Sequence, residues 1–244
     1  FNGETFTIHN LYMSRGVTGV GLFGRIEGAS LTSVRLVNVN INNTGNNTGA
    51  IVGGADGTGN TLTNSFVTGT IDSNGGYNIG AVVGYAFNIS VLNTFADATV
   101  STNSNQPNGG VGGLIGRINS GGTIQQTYFR GSVTGTADNA VGGLIGPNAA
   151  DVIDSYVSAT MVAPGSTIGG LVATGGGTVS DSFYDSTVSG MPDNGRGVPR
   201  TTIEMQTFFN FSGIWDFGST WDMTDGATYP YFQTQPAGIG SRPP

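Results

Sequence analysis

Cysteine and lysine are both missing from this 244-residue chain, and histidine occurs once, as His9. Without cysteine there is no disulfide framework, no thiolate metal site and no thiol nucleophile. A single histidine cannot build a multi-histidine metal centre and leaves a Ser-His-Asp triad hard to assemble. The absence of lysine removes Schiff-base chemistry, the phosphate-binding lysine of a P-loop and lysine-dependent isopeptide crosslinks. Charge of either sign is scarce: 9% of residues are charged, all eight positive ones are arginine, and the net charge is −7. An acidic chain of pI about 4.3 repels nucleic acid and anionic membrane, both of which need clustered positive charge. No stretch approaches the roughly 18 apolar residues of a membrane-spanning helix, so membrane insertion is not expected. No basic-then-apolar leader opens the chain, and the start at Phe1 without methionine suggests a processed product or a piece of something longer. The lack of cysteine suits an exported protein folding in oxidising surroundings. What chemistry remains is that of carboxylates and arginines, with no cofactor implied.

Glycine, by contrast, is abundant, with 43 residues, and 37% of the chain is hydrophobic. That apolar content in a regular pattern argues against a disordered linker. A five-residue core recurs six times at intervals of 27 to 32 residues. It reads Val20-Gly21-Leu22-Phe23-Gly24, Gly49-Ala50-Ile51-Val52-Gly53, Gly80-Ala81-Val82-Val83-Gly84, Gly112-Gly113-Leu114-Ile115-Gly116, Gly142-Gly143-Leu144-Ile145-Gly146 and Gly169-Gly170-Leu171-Val172-Ala173. Self-similarity at this period marks stacked repeats, none of which buries its apolar face alone.

A second segment follows each core, as in Leu92-Asn93-Thr94-Phe95-Ala96-Asp97-Ala98-Thr99-Val100 and Ile153-Asp154-Ser155-Tyr156-Val157-Ser158-Ala159-Thr160-Met161. Aligned by repeat, its columns are uniform. Leu36, Phe66, Phe95, Tyr128, Tyr156 and Phe183 form one, and Ile41, Ile71, Val100, Val133, Met161 and Val188 another. Ser65, Thr94, Thr127, Ser155 and Ser182 precede the aromatic, and Asn64, Asn93, Gln126, Asp154 and Asp181 stand two before it. The expected fold is all-β: a β-solenoid, taken as a right-handed β-helix, of about six coils of about 30 residues, with like residues laddered at about 4.8 Å. Strict alternation fails just after the aromatic, where a bend or bulge is expected, and the side the aromatics face stays open. Between coils lie stretches rich in Asn, Gly, Ser and Thr, residues 42–48, 72–79, 101–108, 134–140 and 163–168. They read as turns lining one edge of the rod, either plainly solvated or a binding edge.

The expected organisation is a solenoid over residues 1–190, a capping segment over 191–233 and a tail or linker over 234–244. The capping segment contains Thr201-Thr202-Ile203-Glu204-Met205, the signature of a capping box opening a helix, and both tryptophans, Trp215 and Trp221. Buried tryptophans would shield the open end of the core; exposed, they would form a sugar-stacking platform.

The pairing of Gly-Gly-Leu-Ile-Gly with Asp154-Ser155-Tyr156-Val157-Ser158 about ten residues later resembles the GLUG-motif repeat of large bacterial surface proteins. The opening Phe1-Asn2-Gly3, Thr7-Ile8-His9-Asn10-Leu11-Tyr12 and the closing Asp225-Gly226-Ala227-Thr228-Tyr229-Pro230 resemble that family's flanking segments. Ala50, Ala81 and Ala173 depart from the core glycines. The resemblance implies a non-catalytic module of filamentous-haemagglutinin-like adhesins, or a repeat region of IgA-peptidase-like proteins, secreted or on the cell surface. It brings no catalytic, metal or cofactor-binding residue with it. Partners would be a protein or glycan of a host or neighbouring cell, with end-to-end self-association into filaments as a further possibility.

Three other readings arise from the residues. Asp151, Asp154, Asp181 and Asp185 with Arg130 could form the carboxylate site of a polysaccharide-acting β-helix enzyme. Thr70, Thr99, Ser132, Thr160 and Thr187 form a hydroxyl column of the kind that orders water. Asp56-Gly57-Thr58-Gly59-Asn60 crowds oxygen atoms in a turn, as a calcium loop does or as an ordinary solvated turn does.

Overall fold

Each repeat folds into one coil with three strand-bearing sides, and successive coils stack through parallel hydrogen bonding. The structure, a computed structural model, describes residues 1–107, 109–165, 167–240 and 242–243. Asn108 and Ser166 of the inter-coil stretches, and Ser241 and Pro244 of the expected tail, lie outside the described residues. The first and widest sheet holds the second segments, among them Arg35–Asn43, Phe66–Ser73, Ser90–Thr102, Thr123–Thr134 and Tyr156–Val162. The second sheet is built from the ends of the glycine cores, Phe23–Glu27, Val52–Asp56, Val83–Ala86, Ile115–Ile118, Ile145–Pro147 and Val172–Thr174. A narrow third side comprises Gly110–Gly112, Ala140–Gly142 and Ile168–Gly169, extended by single bridges through Val20, Thr48 and Ile79. The chain is therefore a parallel β-solenoid of six coils.

Inside the tube, the column Ile41, Ile71, Val100 and Val133 is fully buried and Met161 nearly so, each such side chain contributing about 1.5–3 kcal/mol of burial. A second inward column carries Leu36, Val67, Ala96, Phe129, Val157 and Tyr184. The second residue of a core faces this column, as Gly113 does Phe129, Gly143 does Val157 and Gly170 does Tyr184. A Cβ on Gly113 would collide with the Phe129 ring and the Gly143 carbonyl, and one on Gly170 with the Tyr184 ring. Coil three has the smaller Ala96 in that inner column, and Ala81, second in its core, is fully buried. Ala81 thus takes up the room that the small Ala96 leaves, as close packing requires, whereas Ala173 departs at the last position of its core.

The break in alternation has a definite origin. Ser33, Asn64, Asn93, Gln126, Asp154 and Asp181 all adopt the left-handed conformation, with φ between 48° and 54°. Asn and Asp tolerate that region best among non-glycine residues, which accounts for the amide and carboxylate column. The hydroxyl column beside it serves the same bend. Ser155 Oγ donates to the Ile153 carbonyl at 2.8 Å and accepts from Thr127 N at 3.1 Å, and Ser65 repeats this with Thr63 O and Val34 N. The corner turns outward, so the next residue, the aromatic, points away from the tube. Rings of Phe66, Phe95, Tyr128 and Tyr156 stack at 5.2, 4.7 and 4.9 Å on the outer face.

The first coil departs from the sequence alignment. Arg35, not Leu36, pairs with Phe66 in the aromatic column, and Leu36 pairs inward with Val67. An irregularity between Leu36 and Val39 absorbs the extra residue, with Asn38 left-handed at φ 56°. Val188 is likewise out of its column, because Ser186–Ser189 forms a single helical turn, α1, in place of strand.

The C-terminal segment does two things where one was expected. Residues 190–200 close the end of the tube. The strand Val198–Arg200 pairs with Phe183–Asp185, and the Asn194 amide donates to the Ile168 and Val172 carbonyls at 3.2 and 2.9 Å. Beyond them the chain turns back as a strap along the aromatic ladder. It begins with the short helix α2, Thr202–Met205, whose Thr201/Glu204 capping box is formed. Trp215 and Trp221 therefore cover a flank and not the end of the core. Residues 234–240 are no extended tail either: Gln235 is buried, and the Gly240 carbonyl accepts from Arg130 Nη1 at 2.9 Å. The cause is the ladder itself, an apolar stripe on the outside of the tube that must be covered. At the opposite end Phe1, Phe6, Ile8, Tyr12 and Val17 are exposed.

Candidate functional site

The carboxylates and the arginine that sequence placed in a possible catalytic group do not converge. Asp185 is completely buried, caps α1 through Val188 N at 2.9 Å, and accepts from Thr202 Oγ1 at 2.8 Å and Tyr229 Oη at 2.7 Å. It fastens the strap to the sixth coil. Arg130 fastens it to the fourth, with its guanidinium 5.4 Å from the Tyr229 ring centre as well as bonded to Gly240. Asp151 is exposed and accepts from Thr178 Oγ1 at 2.6 Å and Thr178 N at 3.1 Å, which hold its carboxyl below the usual range. Asp154 and Asp181 occupy successive bends. Partial burial, with Asp181 adding a like charge, raises the Asp154 carboxyl above its ordinary value, while Gln125 offsets part of this. Among these residues only that pair neighbours one another, and its position is dictated by the left-handed bend.

The tryptophans are not a sugar platform. Trp215 is 4% exposed and Trp221 0%, with their rings stacked at 4.6 Å. Trp215 Nε1 donates to the Asp181 carbonyl at 2.8 Å, and Trp221 packs on Phe232. At the far end of the ladder Arg200 lies over Phe183, 3.4 Å from its ring centre, and burial lowers its pKa. Sequence inspection did not single out Arg200, since only the return of the strap brings it there.

The hydroxyl column survives for four coils. Thr70, Thr99, Ser132 and Thr160 are in register, and Ser132 Oγ donates to Thr99 Oγ1 at 3.3 Å. Thr187 leaves it, being inside α1. In the suggested calcium turn, Asp56 is engaged in an ion pair with Arg25, and Asn60 is buried with its amide donating to the Asp56 carbonyl at 2.8 Å. Among the described residues no three His, Asp or Glu side chains cluster as metal ligands would.

The amide-rich edge ladders from coil to coil, and its Asn43, Asn78 and Asn139 are buried. Asn47 and Asn78 are left-handed and laddered, Asn78 Nδ2 donating to Asn47 Oδ1 at 2.9 Å. This edge adjoins the outer face of the second sheet. Hollows there are lined by Thr18, Asn47 and Tyr85, with Arg25 on one side and Arg117 on the other.

Comparison with known proteins fits this architecture. No family model matches the chain. It is 34% identical over 143 residues to a protein of Evansella cellulosilytica named "Putative Gly-rich membrane protein", a match covering 58% of this chain and 14% of that one. It is 35% identical over 241 residues to halomucin of Haloquadratum walsbyi, covering 91% of this chain and 3% of that one. The chain thus spans a small fraction of the length of these relatives. Its fold is similar to the crystal structure of a protein from Bacteroides ovatus described as a "putative immunoglobulin A1 protease". The TM-score is 0.69 with 21% identity, over 97% of this chain and 77% of the other. At that identity the likeness is one of fold. No helix among the described residues is long and apolar enough to cross a membrane.

Proposed function

We propose that this chain is a non-enzymatic structural module of an extracellular or cell-surface protein, serving as a stalk segment or lateral binding surface. The observation that carries this reading is the fate of its chemically capable side chains: Asp185 and Arg130 are spent on fastening a strap over the outer ladder. Support also comes from the relatives named as a membrane protein and as halomucin, both much longer than this chain. The repeat is read as GLUG-type, and its partners as proteins or glycans of neighbouring or host cells. The test is antibody labelling of intact producing cells together with protease shaving. Labelling and release of fragments from unbroken cells are expected; signal confined to lysed cells would overturn the reading.

A further inference from the structure

On the outer face of the second sheet Arg25, Gly54, Tyr85 and Arg117 stand in one register column across four coils. Only Gly54 brings no side chain. Its neighbour Gly53 is required by packing, because a Cβ there would collide with the backbone of Gly19 and Val20. Gly54 is under no such demand. A Cβ would meet only Arg25 Cγ, at 4.0 Å, and its φ is not in the left-handed region. The missing side chain instead opens a notch between Arg25 and Tyr85, two coil spacings or about 9.6 Å apart. Its volume is about 310 Å³, at the lower end of small-ligand pockets.

The walls are chemically complementary. On one side is the Tyr85 ring, held by Asn119 Nδ2 donating to its hydroxyl at 3.1 Å, while Arg117 Nε donates to Asn119 Oδ1 at 2.8 Å. On the other is the Arg25–Asp56 ion pair, with the Arg25 side chain 77% and the Asp56 side chain 29% exposed. Asn47 and Thr18 complete the rim. An aromatic face takes the C–H surface of a sugar ring, while a guanidinium and a carboxylate side by side donate to and accept from adjacent ring hydroxyls. Because Asp56 neutralises Arg25, an anionic ligand gains little here.

We propose that the notch floored by Gly54 binds a single neutral pyranose residue of a glycan. This inference rests on the lateral-binding arm of the proposed function, whose partners include glycans, and its failure would leave the surface-stalk reading and its cell-labelling test standing.

The test is saturation-transfer NMR of the full chain with the methyl glycosides of glucose, galactose, mannose and N-acetylglucosamine, and with methyl glucuronide as the charged control. Transfer from at least one neutral glycoside is expected, stronger than from the glucuronide. Gly54→Thr fills the notch with a residue suited to strands, and Tyr85→Ala removes the wall. Each should weaken binding at least tenfold with circular dichroism and melting temperature unchanged for Gly54→Thr, whereas Ser132→Ala on the first sheet should leave binding intact. No transfer from any neutral glycoside, preference for the glucuronide, or binding that persists in Gly54→Thr would overturn the proposal.

Discussion

Tyr128 Oη donates a 2.6 Å hydrogen bond to Gln235 Oε1, joining the fourth coil to the strap across 107 positions of sequence. Both residues are buried, so this bond cannot be exchanged for one to water without opening the strap. Tyr128→Phe keeps the ring in the ladder and removes only the donor. We expect a loss of about 1 kcal/mol in denaturant unfolding, because Gln235 Oε1 loses its short bond and keeps only the longer one from Phe232 N. A change within a few tenths of a kcal/mol would mean the strap contributes little there.

Deleting the residues after Arg200 should leave the coils in place and uncover Phe66, Phe95, Tyr128 and Tyr156 together, with Arg200 still lying over Phe183. The shortened protein is expected to keep its β-sheet circular dichroism, bind a hydrophobic dye and self-associate in sedimentation, as exposed apolar stripes do. A monomer that binds no dye would show the ladder is tolerated in water.

The size compensation between core glycines and the inner column predicts a coupled pair. Gly113→Ala should cost about 1–3 kcal/mol by overpacking against Phe129. Phe129→Ala alone should cost about 3–5 kcal/mol. The double variant should be more stable than the sum of the two implies, with coupling of about 1 kcal/mol in a double-mutant cycle. Additive costs would place the clash wholly with the Gly143 carbonyl.

Asp154 carries a pH prediction. Its folded carboxyl titrates above the usual value, so the folded state favours the protonated form and is penalised once the group ionises. Asp154→Asn, which suits the same left-handed bend as Asn64 and Asn93, should therefore stabilise the protein at pH 7 by a few tenths of a kcal/mol, screening at this half-exposed site keeping the effect small. The gain should shrink as pH falls through the raised folded value and vanish below the ordinary 3.8. Melting curves of both proteins from pH 7 to pH 3 check this; a gain constant with pH would assign it to the backbone.

The period and the columns were legible because a solenoid repeats its local physics once per coil. The direction of the aromatics was not, since it depends on a bend whose only trace is residues that tolerate left-handed φ, Asn64 and Asp154 among them. Leu36 was misplaced in the aromatic column, where Arg35 stands, because one extra residue in the first coil shifts the alignment. The strap was missed for a different reason: Trp215, Trp221 and Gln235 lie outside the repeat, and no periodicity ties them to Tyr156 or Tyr128. The notch was hidden for the opposite reason, as Gly54 looks like any other of 43 glycines until each is asked what a side chain would strike.

The path of the strap also decides how the rod would carry load. Gly240 rests against the third and fourth coils, beside Phe95 and Tyr128, not beyond the sixth. A pull applied between Phe1 and Gly240 is borne by the first four coils and by the strap contacts of Arg130 and Tyr128, which would be sheared along the flank. The fifth and sixth coils sit outside that force path until those contacts give way, and then lengthen it as a reserve.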